Sequence, residues 1–461
     1  MAYIGNSASI SQYAPQVTYF SGNGSTTAFT LPVGVVSSAQ ILVFVANVAQ
    51  NPSSAYTVSG TTLTFTSAPP TGTNNVWVEY TSLQTNTIAP SAGSVNTNSF
   101  GSVTSVPFTG FNSIGTGNSS AMKNRIINGQ FQISQYNGTS SATVVDGGMI
   151  IDRWKGLSIA QAGVFSAQQL SASPPVGYSN YLGFTSSGVT TPATGACFGM
   201  YQRIEAFNTS DLAWGTANAK TVTLSFWVQA SIAGTYTGSI VNSAQSYSYP
   251  FSYTISSANT WQQVSITIAG PTAGTWISGT NGTGVQVGFS IGTGSTYAGT
   301  AGSWSANTYY AATGQTNLVG TSSATFYITG VQLEVGLAAT GFEYRQFDTD
   351  LSLCQRYYSK SYDLPTVPGT ITNVGSIGVA GNGNGSFGEY LQLRFQRPMR
   401  STPTVVQYSP NSGTAGKIYQ QGGSDITASA LNIGYNGYNN PGVTLSASTI
   451  YTFHYTASAE L

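Results

Sequence analysis

The sequence predicts an all-β, multidomain chain: a small N-terminal β-sandwich, an extended linker, a jelly-roll β-sandwich and a C-terminal β domain. Three observations predict it. The apolar runs are built from Thr, Val, Tyr, Phe and Ile, which suit a pleated, half-buried surface. No 3.6-residue periodicity extends beyond a few turns, and the good helix formers Ala and Glu never cluster with Leu. The 54 glycines, with many Asn and Ser, supply turns throughout. A length of 461 residues suits about three domains.

The first unit spans residues 1–81. Ile41-Leu42-Val43-Phe44-Val45 reads as a buried strand, and Ala46-Asn47 as a tight turn, because Asn tolerates positive φ. Tyr56-Thr57-Val58 and Leu63-Thr64-Phe65 flank Ser59-Gly60, which predicts a hairpin. Alternation in Val76-Trp77-Val78-Glu79-Tyr80 places Val76, Val78 and Tyr80 on one face and Trp77 and Glu79 on the other. Residues 82–123 are rich in Ser, Thr, Asn and Gly and contain Pro90 and Pro107. They fit either a flexible coil, with ends roughly 32–39 Å apart, or a thin stalk intertwined in a trimer.

The next unit, 124–360, contains the regular strand runs 221–228, 263–268, 285–289 and 326–328 between Gly-rich loops. In the first of these Val222, Leu224, Phe226 and Val228 share a face. Such runs predict a two-sheet jelly roll. In the last unit, 361–461, the runs 390–395 and 449–455 alternate. Leu391, Leu393 and Phe395 would share one face, as would Ile450, Thr452 and His454.

Charge is the unusual property. Only 26 side chains are charged, 13 of each sign, and the net charge is zero. Residues 1–122 carry one charge, Glu79, and residues 221–333 carry none. A nucleic-acid binder needs a basic surface, so that class is excluded. A surface this neutral invites association, and hiding it in a permanent homo-oligomer is the expected solution. The start, Met1-Ala2-Tyr3-Ile4-Gly5-Asn6, lacks the basic and apolar segments of a signal peptide, and no run of 18 apolar residues occurs. The chain is therefore expected to be made in a cytoplasm, without membrane insertion. Cys197 and Cys354 are expected to be buried free thiols.

Three stretches carry a resemblance. The run 20–31 (FSGNGSTTAFTL), then ILVFVANVAQ and YTVSGTTLTFTSAPPTG, resembles the small β module near the N-terminus of many bacteriophage tail-fibre proteins. IINGQF, DRW, LSFWVQA and VQLEVGLAATGFEYR followed by LCQRYY resemble the carbohydrate-binding-module-like jelly rolls of phage tail and receptor-binding proteins. The run 395–410 is similar to the terminal β domain that follows such modules. The resemblance implies a tail-fibre protein located on the virion tail. It implies attachment to tail or adaptor/nozzle proteins through the N-terminal domain, a homotrimer, and adsorption to host surface polysaccharide or lipopolysaccharide.

Sugars are held by flat aromatic rings stacked on C–H faces, flanked by amides and hydroxyls; neither demand needs charge. The loop aromatics Trp276, Tyr297, Trp304, Tyr309, Tyr310, Tyr435 and Tyr438 are the candidates. Each is weighed against a ring packed on its own loop or at a subunit contact. Trp154, Trp227 and Trp261 belong to or adjoin strands and read as structural. For catalysis, Asp348 and Asp350 would share a face if extended, with Glu343 nearby, and a glycosidase needs two such carboxylates. However, eight of the 26 charges fall between Glu334 and Asp363, which fits ion pairing at a junction. The chain is therefore read as no enzyme, without cofactor. A structural calcium would draw on Asn128 and Glu334, but no metal site is assigned. A purely structural virion protein and a glycan depolymerase remain the alternatives.

Overall fold

The computed structural model describes residues 17–81, 122–188, 191–381, 393–439, 446 and 448–461. The predicted linker up to residue 121, and Leu391 in the predicted strand 390–395, lie outside them. The chain divides into two compact units, Met1–Pro107 and Phe108–Leu461. Among the described residues both are all-β, apart from one α-helix and short 3-10 turns.

In the first unit a four-stranded antiparallel sheet runs Val17–Gly22, Gly72–Tyr80, Ile41–Val45, Val48–Ala49. A second pair, Ala28–Val35 with Tyr56–Phe65, completes the sandwich. The core holds Leu31, Ile41, Val43, Tyr56, Leu63, Val76, Val78 and Tyr80, so the predicted alternation of the last strand holds. Ala46 (φ 51°) and Asn47 (φ 65°) form the expected tight turn, with both residues left-handed as a two-residue hairpin requires. Ser59-Gly60 is not a hairpin turn. Tyr56–Phe65 is one continuous strand with Gly60 (φ 57°) inside it, and the irregularity in its pairing lies on the partner strand, between Thr30 and Val35. A lone glycine at positive φ fits inside a strand, beside such an irregularity, as well as in a turn.

The second unit opens on two six-stranded sheets. One runs Gln262–Ile268, Val222–Ala230, Thr325–Val335, Tyr181–Ser186, Phe165–Leu170, Ala142–Thr143. The other runs Ser248–Ile255, Gly234–Asn242, Thr283–Thr293, Cys197–Glu205, Trp154–Ile159, Met149–Ile151. Neighbours in both are antiparallel. Between them lies one core that includes Val222, Leu224, Phe226 and Val228, together with Trp154, Phe184, Phe198, Tyr236, Phe289 and Phe326. The sequence run IINGQF closes it: Gly129 passes so near the strand Thr325–Val335 that a Cβ would stand 2.2 Å from the Val331 carbonyl oxygen.

The missed helix, α1 (Phe347–Gln355), follows the jelly roll. It separates Asp348 from Asp350 by two helical positions rather than placing them on one extended face. Beyond it, the final strand Ile450–Ser458 pairs with Tyr358–Lys360, Ile377–Ala380, Thr404–Tyr408 and Lys417–Gln420. Tyr451, Phe453, Tyr455 and Ala457 form its core face, joined by Leu393 and Phe395. Ile450, Thr452 and His454 take the opposite face, and Ile450 is exposed there. This C-terminal sheet belongs to the same compact unit as the jelly roll.

The two are joined by buried charge. Arg153 of the DRW motif pairs with Glu460 and lies 3.5 Å over the Tyr357 ring. Arg356 grips Glu205 through two hydrogen bonds of 3.0 and 2.6 Å, and the Tyr357 hydroxyl donates to the same carboxylate. Lys360 donates to the carbonyls of Gln135, Leu364 and Thr366. Both cysteines are buried free thiols.

A candidate glycan-binding cleft

Two of the loop tryptophans meet at one end of the jelly roll. The chain leaves the 3-10 turn Ser210–Leu212 through Ala213 (φ 51°), presents Trp214, and reverses at Gly215 (φ 83°). A second loop brings Gly274, Thr275 and Trp276 against it. A Cβ on Gly215 would lie 2.9 Å from Trp276 Cδ1 and 2.8 Å from the Gly274 carbonyl oxygen, so close approach of the loops needs glycine there.

Trp214, Trp276 and Trp304 pack edge to face, with centroids 4.9–5.5 Å apart and planes at 73–86°. Tyr247 stacks on Trp304 at 5.8 Å, and Tyr249 tilts against it at 5.1 Å. Each indole N–H is already spent on a carbonyl: Trp214 on Lys220 at 2.8 Å, Trp276 on Ala273 at 3.1 Å, Trp304 on Ala269 at 2.7 Å. These bonds, and packing against the main core, fix the rings. What they offer a ligand is apolar surface, not a donor.

Trp214 and Trp276 line a cleft of about 410 Å³ with Thr209, Ser210, Thr216, Thr275, Ile277 and Ser278. None of its lining residues is charged. The hydroxyls of Thr209 and Ser210 donate to the Ala206 carbonyl and that of Thr216 to Ala213, while the Ser210 and Thr216 oxygens accept from the Gly279 and Asn218 N–H groups. Thr275 and Ser278 stand exposed. The adjacent Asp211 is held by Arg125 through two 2.6 Å bonds. Burial pushes its carboxyl up, but those bonds and the charges of Arg125 and Lys220 outweigh it and hold it below the usual range. The cleft thus combines flat apolar surface with neutral hydroxyls, and it suits a neutral, hydroxyl-rich ligand.

The other candidates fall elsewhere. Tyr297 and Tyr310 pair at 5.2 Å in a satellite cluster with Leu157, Cys197, Tyr201 and Val241 on the second sheet. Tyr310 is buried, and its hydroxyl is pushed up to about 12 by desolvation. Tyr309 lies against Gly299, where a Cβ would meet its ring at 2.3 Å. Tyr435 is 58% exposed beside a 260 Å³ hollow in the C-terminal sheet, but Tyr438 beneath it is 2% exposed. Tyr310 and Tyr438 therefore have no ring face open for stacking and leave the candidate set. Their Gly- and Asn-rich flanks announce a turn without saying which way the ring folds.

Sequence reasoning missed Trp214, Tyr247 and Tyr249. The signal for Trp214 was its Ala-Trp-Gly-Thr setting, the same loop chemistry as around Trp276. Trp227 and Trp261 belong to an aromatic layer on the outer face of the first sheet. Trp261 meets Tyr181 at 5.3 Å and Tyr327 at 6.4 Å, and its N–H donates to Ser173. Tyr178, Phe342 and the exposed Tyr344 extend the layer.

The carboxylates pair as a junction would pair them. Arg345 meets Glu343 at 2.8 Å and Asp350 at 3.6 Å. The cavity these two acids share is about 10 Å³, room for one water at most. Asp348 faces a different cavity, of about 460 Å³, with Arg356 and Arg397. Asn128 accepts from Ile133 N and donates to the Ile133 and Asp152 carbonyls, while Glu334 accepts from Gln332 and Thr340. Each of the two has its own set of protein partners.

No family model and no curated protein matches the sequence. Solved structures do. A putative sugar-binding protein from Bacteroides thetaiotaomicron is similar over 46% of this chain and all of its own, at 13% identity and a TM-score of 0.27. A family 11 carbohydrate-binding module from Clostridium thermocellum, in complex with a mixed-linked tetrasaccharide, is similar over 43% of this chain and 98% of its own, at 14% identity and 0.22. The enzymatically active domain of tailspike protein 4 from bacteriophage CBA120 is similar over 46% of this chain but only 21% of its own, at 12% identity and 0.25. The solved structures similar to this chain thus include carbohydrate-binding modules and a phage tailspike domain.

Proposed function

We propose that the chain is a phage tail-fibre protein that binds host surface glycan, polysaccharide or lipopolysaccharide, in the Trp214–Trp276 cleft. The observation that carries this is the cleft itself: the half-buried Trp276 ring, backed by the buried Trp214, and a rim of Thr and Ser, with no charge among the lining residues. The N-terminal unit, by its resemblance to tail-fibre modules, attaches the chain to tail or adaptor proteins on the virion. A trimer repeats a weak sugar contact, and repetition raises avidity without a new contact. Binding without hydrolysis is supported by Glu343 and Asp350, which are ion-paired around a water-sized space, and by Asp348, which stands in a separate cavity.

The test is binding of the purified chain to host polysaccharide. Trp276→Ala removes the ring and is expected to weaken binding about tenfold or more, roughly 1.4 kcal/mol; Trp276→Phe restores part of it. Unchanged affinity in Trp276→Ala sinks the cleft. One observation favours a second reading, a purely structural virion protein: all three indole N–H groups are satisfied by backbone carbonyls of the chain. A spacer would tolerate Trp276→Ala with adsorption intact.

A further inference from the structure

The N-terminal unit holds a single carboxylate side chain, Glu79, and the fold sets it on the central strand of the sheet, in the end row of an apolar outer face. On the outer face of the four-stranded sheet Glu79 is flanked by its cross-strand neighbours Val17 and Leu42. The next row is Tyr19, Trp77 and Phe44. Val17, Leu42 and Tyr19 are 39%, 46% and 58% exposed. Phe44 and Trp77 stack at 3.8 Å and 8°, and the Trp77 N–H is held by Asn47 at 3.3 Å, so this part of the face is rigid.

Glu79 makes no hydrogen bond or ion pair among the described residues. Residues 1–122 contain no Lys, Arg or His, so the unit has no cationic side chain to give it. That restricts what covers the face. Parallel, in-register packing of copies through this face would bring Glu79 against its own copies. Two such charges 4 Å apart repel strongly wherever water is partly excluded. A wholly apolar partner would leave the carboxylate buried and unpaired, which is also costly. A cation from outside the unit resolves both, and apolar groups around it match the rim.

We propose that this face is the docking surface for a second protein that presents an arginine or lysine within an apolar rim. The proposal rests on the reading of the N-terminal unit as the attachment module, and adds which face is used and what chemistry it takes.

The experiment pans the full-length chain against a displayed library of random twelve-residue peptides. Counter-selection on the Tyr19→Ser, Leu42→Ser chain removes peptides that bind elsewhere. The recovered peptides are expected to carry Arg or Lys flanked by aliphatic or aromatic residues. They should bind Glu79→Gln at least tenfold more weakly, and panning on Glu79→Lys should select acidic peptides instead. Glu79 points outward and Gln is its isostere, so an unchanged melting profile certifies the variant's fold. Recovered peptides without a basic residue, or equal binding to Glu79→Gln, overturn the proposal. So does disulfide crosslinking between copies through Leu42→Cys in solution, which would give the face to a second copy. Panning uses no virion, so the two readings fail separately. Basic peptides recovered from a chain that is not built into particles keep the face and sink attachment; an incorporated chain that selects none does the reverse.

Discussion

His454, the one histidine, has both ring nitrogens accounted for. Nε2 lies 2.9 Å from the Thr372 carbonyl oxygen, which can only accept, so Nε2 carries the proton. Nδ1 then accepts from Ser361 Oγ at 3.0 Å, and that oxygen in turn accepts from the Tyr455 N–H. The ring stacks on Tyr362 at 3.8 Å and is fully buried. Desolvation holds its pKa below the ordinary value, against the Thr372 bond, which raises it. The fold therefore prefers the neutral ring. The resulting stability is present above the unfolded value of about 6.5 and is lost as pH falls through the lower folded value. Asp152 runs the other way: burial pushes it up to about 7, and its contribution, present at low pH, is lost as pH rises through that value. Comparing His454→Gln with the parent isolates the first effect. Urea unfolding at pH 8 and pH 5 should show the parent losing more stability on acidification than the variant. Equal losses would remove His454 from the acid limb. Nothing in the sequence around His454 announces this role, because Ser361, Tyr362 and Thr372 reach it only through the fold.

Among the elements, legibility followed how local the signal was. Alternation in Val76–Tyr80 and Val222–Val228 named the core faces, because period two survives in any antiparallel sheet. The Ala46-Asn47 turn was legible because two consecutive left-handed residues leave little choice of side chain. Ser59-Gly60 misled, since a glycine at positive φ also sits within a strand opposite a pairing irregularity. Helix α1 was missed because it is nine residues long, lacks a side-chain N-cap and buries polar Asp350 and Gln355 beside Cys354; its acidic first turn was the available signal. What no local pattern showed is that the chain's last strand locks onto the jelly roll. Arg153 is buried, with a left-handed backbone (φ 70°), and Glu460 supplies its charge partner. Removing one partner leaves an uncompensated buried charge, which costs roughly 3–5 kcal/mol. Glu460→Gln keeps the shape and drops the charge, so urea unfolding should report a loss of about that size. A change below about 0.5 kcal/mol would mean that the Arg203 carbonyl and the Tyr357 ring alone satisfy Arg153. The same locking means that deleting 361–461 strips the jelly roll of buried partners, so point variants, not truncation, separate receptor reading from spacing.

At the scale of the whole molecule the neutral surface sets the behaviour. The candidate cleft was half legible: composition excluded nucleic acid and pointed to aromatic loops, and of the aromatics named Trp276 lines the cleft, with Trp304 packed against it. Trp214 could not be joined to them, since some sixty residues and several strands intervene between 214 and 276. Neutrality also bears on assembly. With 26 charges in 461 residues, many already paired at the junction, little ionic surface remains to keep copies apart. The exposed apolar side chains outside the N-terminal sheet face include Val36, Val176, Leu337 and Ile371. Association through such surface is driven by burial of apolar area, which added salt does not screen. A trimer of 47.9 kDa chains has a mass of about 144 kDa, three times the single chain. Sedimentation equilibrium at micromolar concentration should give that mass in 50 mM and in 1 M NaCl alike. Dissociation on adding salt would mean that the few remaining charges hold the copies together, and a monomer in both buffers would remove the avidity on which weak sugar binding at each cleft depends.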